Sequence, residues 1–435
     1  MTKLKLTREE FHRTSQESPY QLFLEGIRAK ETRAKYVRTL RRILCDILEE
    51  FLEGTLEERA AQLVKHAKNN PDWTQDLLIG LSKKLKERTK LPKSDKNYLN
   101  PDTIPNYFKP LKKLFEMNNV AFAWKRIYAT FPELDNITNT REWKRDEIHT
   151  MLKYANGAMD RAIILIAASS GIRLGGLRLT WEDLTPIYKI GDELKIEITE
   201  SEIETAEIAC AMLIIYKGTN ESYPAFITPE AYQAILDYKV EWIKEVGKEP
   251  KPTDPVFKKE GSVLIMASPF ALKKRVERIL ESSGLRTPLP KGQKRYEVPV
   301  MNGFRRFWNK TCKEAMSRDS PLASLIKKEF MMGHTGLVRL DRNYFKTQVL
   351  ELAEEYLNAV PTLTISDEER TKAENRKLRK DKSELERQRE EALLQKDEVK
   401  RNKQAIETMG KKHEQEMKKV LEELAKLREQ LKKPK

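Results

Sequence analysis

Residues 160–184 read DRAIILIAASSGIRLGGLRLTWEDL, and the organisation of the second half of the chain is best understood from this stretch. Its apolar run, which begins at Ala162, predicts a helix. Arg173 follows Ser-Gly-Ile at the end of that helix. An arginine at this position can cap the helix C-terminus or can belong to a functional site, and the local sequence leaves both interpretations open.

The segments around this stretch predict a mixed domain. Residues 143–155 (WKRDEIHTMLKYA) have the pattern of an amphipathic helix, whereas the hydrophobic period becomes strand-like over residues 191–227. Three strands are predicted there, with a turn (KGTNES) before the last of them: residues 193–199, 209–216 and 223–227. The alternation predicts a small antiparallel sheet.

Helices are predicted again after the sheet. Thr228 is a cap residue followed by Pro229 at the first helical position, a typical helix start. Helical periodicity returns from residue 302 into the 350s. We therefore expect a mainly α (α+β) fold, with a second domain over residues 142–362.

The first third of the chain has helical periodicity throughout, and it predicts an all-helical domain over residues 1–134. In residues 31–52 one face is apolar (Tyr36, Leu40, Ile43, Leu44, Ile47) and the other is basic (Lys35, Arg38, Arg41, Arg42). A later helix begins after Asn100-Pro101, with Asp102 or Thr103 as its cap. It should bury Ile104, Phe108, Leu111 and Phe115 and expose Lys109, Lys112 and Lys113. Each basic face is either a phosphate-binding surface or a solvated one.

The end of the chain differs in kind from both domains. A polar, turn-prone linker (residues 135–141) joins the two domains, and a charged tail (residues 366–435) follows the second. In the tail, one residue in every seven forms a mainly apolar seam: Leu378, Leu385, Ala392, Val399, Ile406, His413, Val420 and Leu427. A companion seam becomes apolar only at Met417, Leu424 and Leu431. This pattern predicts a long helix with a weak coiled-coil seam, or a solvated single helix.

Composition limits the class of protein. The 435 residues suggest two or three domains, and 82 Lys+Arg against 67 Asp+Glu give a net charge of +15. Such a charge favours a polyanionic partner, although it also serves general solubility. Cys45, Cys210 and Cys312 are widely spaced, which favours buried reduced thiols and excludes a zinc site built from them. The sequence has neither an apolar signal segment nor a run of about 18 apolar residues, so we expect a cytoplasmic, nucleoid-associated protein that does not bind membranes.

Four segments of the second domain carry the functional signal. They are SSGIRLGGLRLTWEDL (169–184), YKGTNESYPAFIT (216–228), NGFRRFW (302–308) and MGHTGLVRLDRNYFK (332–346). In this order and spacing they resemble the catalytic domain of tyrosine recombinases, the phage integrase family, and look most like the archaeal integrases. The family pattern is an arginine in a G-x-R segment, a hairpin lysine, H-x-x-R, then G-H and a tyrosine nine or ten residues later.

The resemblance implies a role for five residues. Arg173 and Arg305 would be the two catalytic arginines, Lys217 the hairpin lysine, His334 the histidine of the G-H segment and Tyr344 the nucleophile. Three of these assignments have rivals in the sequence. Arg306 adjoins Arg305, Lys217 can be an ordinary turn lysine, and Tyr356 is a second tyrosine, although its apolar spacing with Leu352 indicates core.

The chemistry of the family explains these residue types. The resemblance implies in-line attack of the tyrosine on a phosphodiester, which gives a covalent 3′-phosphotyrosine and a free 5′-hydroxyl without a cofactor or metal. Two arginines would bind the non-bridging oxygens, because a guanidinium is a permanent, multi-donor cation. The lysine would protonate the leaving oxygen, and His334 would donate a hydrogen bond to the phosphate.

Two positions depart from the family pattern. Asn302 stands where many members have a histidine, and Gly176 stands where an acidic residue commonly follows the first arginine by three positions. The first change removes a candidate acceptor for the tyrosine proton. The second removes a brace that would orient a catalytic side chain.

These observations together predict a site-specific DNA recombinase that grips double-stranded DNA with two domains. The resemblance implies a homotetramer on DNA, and the tail could contact a coiled-coil partner. Two alternatives share the same residues: a type IB topoisomerase-like nicking and closing enzyme, and a catalytically inactive DNA-binding or scaffold relative. A supercoil-relaxation assay and a test for a covalent DNA adduct separate the three.

Overall fold

The structure is a computed structural model, and it describes residues 4–5, 7–10, 17–133, 140–289, 296–315, 320–334 and 348–431. The chain divides into two compact units. The first comprises the described residues within Met1–Arg141 and Thr287–Pro299, and the second those within Glu142–Arg286 and Val300–Lys435. Each unit has a fold of its own.

The first unit is helical. Its helices are α1 (Pro19–Glu25), α2 (Lys30–Arg41), α3 (Leu56–Asn69), α4 (Pro71–Glu87), α5 (Ile104–Met117) and α6 (Trp124–Tyr128). Helix α2 widens into a π-helical turn at Arg42–Ile47, and a 3-10 turn at Pro101–Thr103 precedes α5. The core is formed mainly by Leu, Ile and Phe side chains, among them Phe23, Leu40 and Phe108 with no exposed surface. Burial of this surface stabilises the unit.

The predicted faces of α2 and α5 are mostly as expected. Leu40, Ile43 and Leu44 are fully buried, as are the four predicted core residues of α5, whereas Tyr36 and Ile47 are only partly buried. Of the two predicted caps of α5, Thr103 occupies the N-cap position and Asp102 does not. Asn100 caps the preceding 3-10 turn by accepting a 2.9 Å bond from the Asp102 backbone N–H, and Thr103 makes no side-chain cap.

The second unit is mainly helical around one small sheet, and the predicted fold class is confirmed. Its helices are α7 (Arg145–Lys153), α8 (Ala158–Ser170), α9 (Pro229–Val246), α10 (Pro269–Ser282), α11 (Val300–Ala315), α12 (Pro321–Met331), α13 (Val349–Leu357), α14 (Val360–Leu363) and α15 (Asp367–Leu431). The apolar helix α8 lies at the centre, since it packs against α7, α9, α11 and the sheet. Short 3-10 turns occur at Leu174–Leu177, Trp181–Asp183 and Glu200–Glu202.

The sheet has four antiparallel strands in the order β2-β1-β3-β4. They are β1 (Leu184–Ile190), β2 (Glu193–Lys195), β3 (Glu207–Ile215) and β4 (Tyr223–Ile227). Strand β1 was not predicted, and the strand expected over residues 193–199 is reduced to β2. Pro186 weakens the strand signal of β1 because proline lacks an N–H for the ladder. Pairing with β3, in which Pro186 faces Ala211, nevertheless fixes β1 as a strand.

The tail forms one exposed helix. Helix α15 has 65 residues, which corresponds to about 98 Å of length at 1.5 Å per residue. Its start is fixed to the rest of the unit, because Arg145 donates a 2.9 Å bond to Asp367 and Glu230 accepts the backbone N–H groups of Ile365 and Ser366. The seam residues from Leu378 to Val420 are exposed, for example Leu385 at 68% and Ile406 at 70%.

Candidate active site

Arg305 projects from α11 between the residues that anchor this helix. Phe304, Phe307, Trp308 and Cys312 are buried, as their spacing predicted, and Arg305 is half-buried beside them. Its Nη1 donates to the Gly171 carbonyl at 2.7 Å, and its Nη2 donates to the Met332 carbonyl at 2.8 Å. The guanidinium is therefore held by two backbone segments that are distant in sequence. Arg306, the rival arginine, is exposed.

Two glycines permit these contacts. Gly171 ends α8 with a φ of +60°, and Gly333 has a φ of +67°, a region that side-chain-bearing residues rarely adopt. A Cβ at Gly171 would lie 2.8 Å from Trp308 Cδ2, and a Cβ at Gly333 would lie 2.3 Å from Tyr223 Cε1. Both positions need glycine for conformation and for space.

Arg173 reaches the same place from the loop after α8. Its backbone is extended (ψ 155°), and Nη1 donates to the Gly333 carbonyl at 3.5 Å. The carbonyl at the end of α8 accepts a bond from Arg305, so this arginine takes the capping role considered for Arg173. Burial, followed by the positive charge of Arg173, holds the pKa of Arg305 below its usual range. Two guanidinium groups so close together favour an anion that both can bind.

His334 links this arginine pair to a buried ion pair. Its Nε2 lies 2.7 Å from Arg305 Nη2, and its Nδ1 lies 2.5 Å from Glu329 Oε2. Lys328 donates to Glu329 Oε1 and to Asn309 Oδ1, each at 2.5 Å. Burial raises the pKa of Glu329, but hydrogen bonds from Lys328 and His334 outweigh that effect and hold it below its usual range. The carboxylate is therefore ionised and accepts from both neighbours.

Tyr223 is a buried neighbour of the two arginines. Burial raises its pKa to about 12, although the charges of Arg305 and Arg173 act in the opposite direction. Its hydroxyl is buried and has no hydrogen bond of standard geometry, so the nearby guanidinium influences it chiefly through charge. The phenol therefore remains neutral at physiological pH.

Lys217 lies in the turn between β3 and β4, as predicted, and its ion pairs are with a neighbouring 3-10 turn. Its Nζ lies 3.2 Å from Glu182 Oε1 and 4.0 Å from Asp183 Oδ1. Tyr216, which precedes it, adopts a φ of +54°. A Cβ at Gly175 would lie 2.9 Å from the Tyr216 hydroxyl, so the turn adjoins the loop that carries Arg173.

The proposed nucleophile, Tyr344, lies outside the described residues, and its role stays a prediction. The rival tyrosine, Tyr356, has a structural role. Tyr356 is completely buried in α13 and its hydroxyl donates to the Ser169 carbonyl at 2.8 Å. Burial raises the pKa of Tyr356 well above its usual value, which opposes formation of a phenolate. Tyr356 is thus a core residue, as its spacing indicated.

The predicted DNA-binding residues all belong to the first unit. Lys35, Arg38, Arg41, Arg42 and Lys109 are exposed, whereas Lys112 and Lys113 are half-buried. The stem of Lys112 is covered because its ammonium lies 5.9 Å from the centre of the Trp124 ring and 3.8 Å from Glu116. The α2 face is therefore the more accessible of the two basic faces.

The two departures from the family pattern have different surroundings. Asn302 is exposed on α11. Gly176 is buried, and a Cβ there would lie 3.2 Å from Ile215 Cγ2 and 3.3 Å from Ile172 Cβ. An acidic side chain at position 176 would enter an apolar environment, at a large desolvation cost. The carboxylate that contacts His334 comes instead from Glu329.

Three further features of the described residues bear on function. No group of three or more His, Cys, Asp or Glu side chains among them could hold a metal ion. None of the helices in the described ranges combines the length and apolar character needed to cross a membrane. Cys210 and Cys312 are buried free thiols, and Cys45 is half-buried rather than buried.

Solved structures of recombinases and integrases are similar to this chain. A lambda integrase(75-356) dimer bound to a COC′ core site gives a TM-score of 0.41 and 12% identity, covering 81% of this chain and 95% of that chain. XerH site-specific recombinase bound to palindromic difH substrate gives a TM-score of 0.41 and 17% identity, covering 78% and 96%. Tn1549 transposon integrase with transposon right end DNA gives 0.39 and 15%, covering 77% and 100%.

No protein-family profile and no curated protein sequence matches the chain. The similarity to the solved structures is distant, so the function proposed below rests on the residues of the site. Three of those residues were missed in the sequence. No motif singles out Glu329, Lys328 or Tyr223. In the structure Glu329 bonds His334, Lys328 bonds Glu329, and Tyr223 lies near Arg305.

Proposed function

We propose that this protein is a DNA-cleaving and DNA-rejoining enzyme of the tyrosine recombinase type. The observation that carries the proposal is that Arg173 and Arg305 both contact the segment Met332–His334. Arg305 contacts the Met332 carbonyl and the His334 ring, and Arg173 contacts the Gly333 carbonyl. These residues come from three of the four segments that match the family pattern.

The arrangement suits the charge of a reacting phosphodiester. The transition state concentrates negative charge on the non-bridging oxygens, and two guanidinium groups that backbone carbonyls hold close together offer N–H donors to those oxygens. Arg305 is partly desolvated, which strengthens its attraction for an anion. In this scheme Tyr344 attacks phosphorus, the bond to the 5′-oxygen breaks, and Lys217 gives that oxygen its proton.

Double-stranded DNA is the proposed substrate. The net charge of +15 and the exposed basic face of α2 favour a polyanion, since each phosphate contact releases condensed counterions. Phosphate contacts by such faces would position the duplex and carry no sequence information. We expect a steep loss of affinity as the salt concentration rises.

The decisive experiment is to trap the covalent intermediate on a nicked suicide substrate and to map the modified peptide. The wild-type chain should form a 3′-phosphotyrosyl adduct at Tyr344, and Tyr344→Phe should bind DNA without forming it. Tyr356→Phe is the matched control, because it also removes one phenolic hydroxyl. An adduct at Tyr356 contradicts the proposal. So does the absence of an adduct on a substrate whose target site the protein binds.

Helix α15 is proposed to join copies of the chain on DNA. Its exposed seam would be covered if α15 packed against another helix. Glutamate at Leu385, Val399 and Ile406 should then reduce the assembly that sediments on DNA. Leu394→Glu is the control, because Leu394 is 70% exposed, as is Ile406, but lies off the seam. Unchanged assembly of the seam variant would exclude this role.

A further inference from the structure

The hydrogen bonds of His334 define which of its nitrogens carries a proton. Arg305 has only donors, so Nε2 must accept the bond from Nη2 that spans 2.7 Å. An ionised carboxylate only accepts, so Nδ1 must donate to Glu329 Oε2, 2.5 Å away. The ring is therefore the Nδ1–H tautomer, with its Nε2 lone pair facing the guanidinium group.

We propose that Glu329 is a positioning residue that holds His334 in this tautomer, so that His334 acts as the proton acceptor at the reacting phosphate. This inference rests on the proposed function. It differs from the role that the family resemblance implies, in which His334 donates a hydrogen bond to the phosphate. A carboxylate behind a histidine favours proton uptake at the opposite nitrogen, because it stabilises the imidazolium that forms.

The surroundings of Glu329 support this role. Its side chain is only 17% exposed, and its other oxygen is occupied by Lys328, whose side chain is 4% exposed. Lys328 is in turn bonded to Asn309. The carboxylate cannot turn away from His334 without leaving a buried ammonium group unpaired, which is costly. The bond between Glu329 and Nδ1 thus fixes the orientation of the imidazole.

Two positions of the family pattern that could supply a proton acceptor and an acidic brace hold other residues in this sequence. Asn302 occupies the position of a histidine that could accept the proton of the attacking hydroxyl, and Gly176 the position of an acidic brace. His334 with Glu329 supplies both functions from a single helix end. When phosphate oxygens take the donors of Arg305, Nε2 becomes available to the attacking hydroxyl.

The proton balance of the step is complete. The attacking hydroxyl gives its proton to Nε2 as its oxygen bonds to phosphorus, and the leaving 5′-oxygen takes a proton from Lys217. His334 is then an imidazolium that donates to Glu329 through Nδ1. On rejoining, the 5′-hydroxyl attacks and gives its proton to the neutral amine of Lys217, and His334 returns its proton to the departing tyrosine oxygen.

The first test is independent of catalysis. Nitrogen-15 NMR of the histidine-labelled full chain reports the tautomer of each of its five histidines, and His334→Asn assigns the signal. We expect a protonated Nδ1 and an unprotonated Nε2 in the wild type. In Glu329→Gln the Lys328 ammonium keeps the amide oxygen, so an amide N–H group faces Nδ1 and this tautomer is lost. A wild-type Nε2–H tautomer overturns the inference.

The second test measures adduct formation in a single turnover at saturating DNA. Glu329→Gln should slow it about 10²-fold with unchanged DNA affinity, in the range of general acid–base effects. Adding Glu329→Gln to His334→Asn should not slow adduct formation further, because the two residues act as a unit. Glu277→Gln is the matched control. Glu277 accepts from two basic side chains, as Glu329 does, and its side chain is 14% exposed, but both of its partners, Lys273 and Lys274, belong to its own helix α10.

A third variant addresses the possibility of misfolding. Lys328→Met with Glu329→Gln removes both buried charges, and the glutamine carbonyl is then free to accept from His334 Nδ1. Adduct formation should recover toward the wild-type rate relative to Glu329→Gln alone. The inference is overturned if the folded Lys328→Met, Glu329→Gln variant forms the adduct as slowly as Glu329→Gln. It is also overturned if Glu329→Gln forms the adduct as fast as the wild type. A wild-type chain that forms no adduct overturns the proposed function, and NMR still decides the tautomer.

Discussion

The Nζ of Lys217 lies 3.2 Å from Oε1 of Glu182, and both side chains are partly exposed, at 47% and 39%. An ion pair with this exposure is worth only about 0–1 kcal/mol. The lysine proposed to protonate the leaving oxygen is thus held by a contact that DNA phosphates can readily replace. The pair is a weak restraint on the hairpin turn.

This relationship predicts opposite effects for its two partners. Glu182→Gln should raise the rate of adduct formation by no more than about fivefold, because it removes at most ~1 kcal/mol of competing attraction. Lys217→Ala should lower it about 10²–10⁴-fold, since the leaving oxygen loses its proton donor. A substrate with sulfur at the 5′ leaving position should restore the rate of Lys217→Ala, because a thiolate leaves without a proton. Failure of that rescue would assign Lys217 a different role.

Arg305→Lys should slow adduct formation about 10²–10³-fold at saturating DNA. A lysine ammonium is a point charge that cannot reproduce the guanidinium fork bonded to the Gly171 and Met332 carbonyls. The measurement is single-turnover adduct formation, with DNA affinity determined separately. The neighbouring Arg306→Lys serves as control and should remain within about threefold of the wild type. Equal losses in the two variants would remove the distinction drawn between these arginines.

Gly333→Ala should destabilise the protein more than a glycine substitution at a similar dihedral angle in open space. Gly333 has a φ of +67° and its added Cβ would meet Tyr223 at 2.3 Å, whereas Gly247 has a φ of +80° with nothing within 4 Å. Gly247→Ala should cost about 1–2 kcal/mol from backbone strain alone. Gly333→Ala should cost about 1–3 kcal/mol more through overpacking. Urea unfolding of both variants measures the difference, and equal losses would show that Tyr223 moves aside.

Tyr356→Phe should lower the free energy of unfolding by about 1 kcal/mol and leave adduct formation unchanged. The substitution removes the hydrogen bond to the Ser169 carbonyl but keeps the buried ring. Denaturant unfolding gives the first quantity, and the trapping assay gives the second. Loss of the adduct in a stably folded variant would require a role for this tyrosine beyond packing.

Local patterns in the sequence were sufficient to predict several elements of the fold. Apolar periodicity located α8, β3 and β4, and the Thr228-Pro229 pair located the start of α9 at Pro229. These features depend on residues close in the chain. The sequence was insufficient for β1, whose proline-containing segment becomes a strand only because β3 lies beside it.

The amino-acid sequence by itself determined the prediction of which cations belong to the candidate site, since motif order and spacing point to Arg173, Lys217, Arg305 and His334. Only the tertiary structure decided what those residues contact. Glu182 pairs with Lys217, Arg173 contacts the Gly333 carbonyl, and Arg305 rather than Arg173 contacts the end of α8. The reason is physical: motif spacing follows the chain, whereas hydrogen bonds and charge interactions depend on distances between segments that only folding brings together.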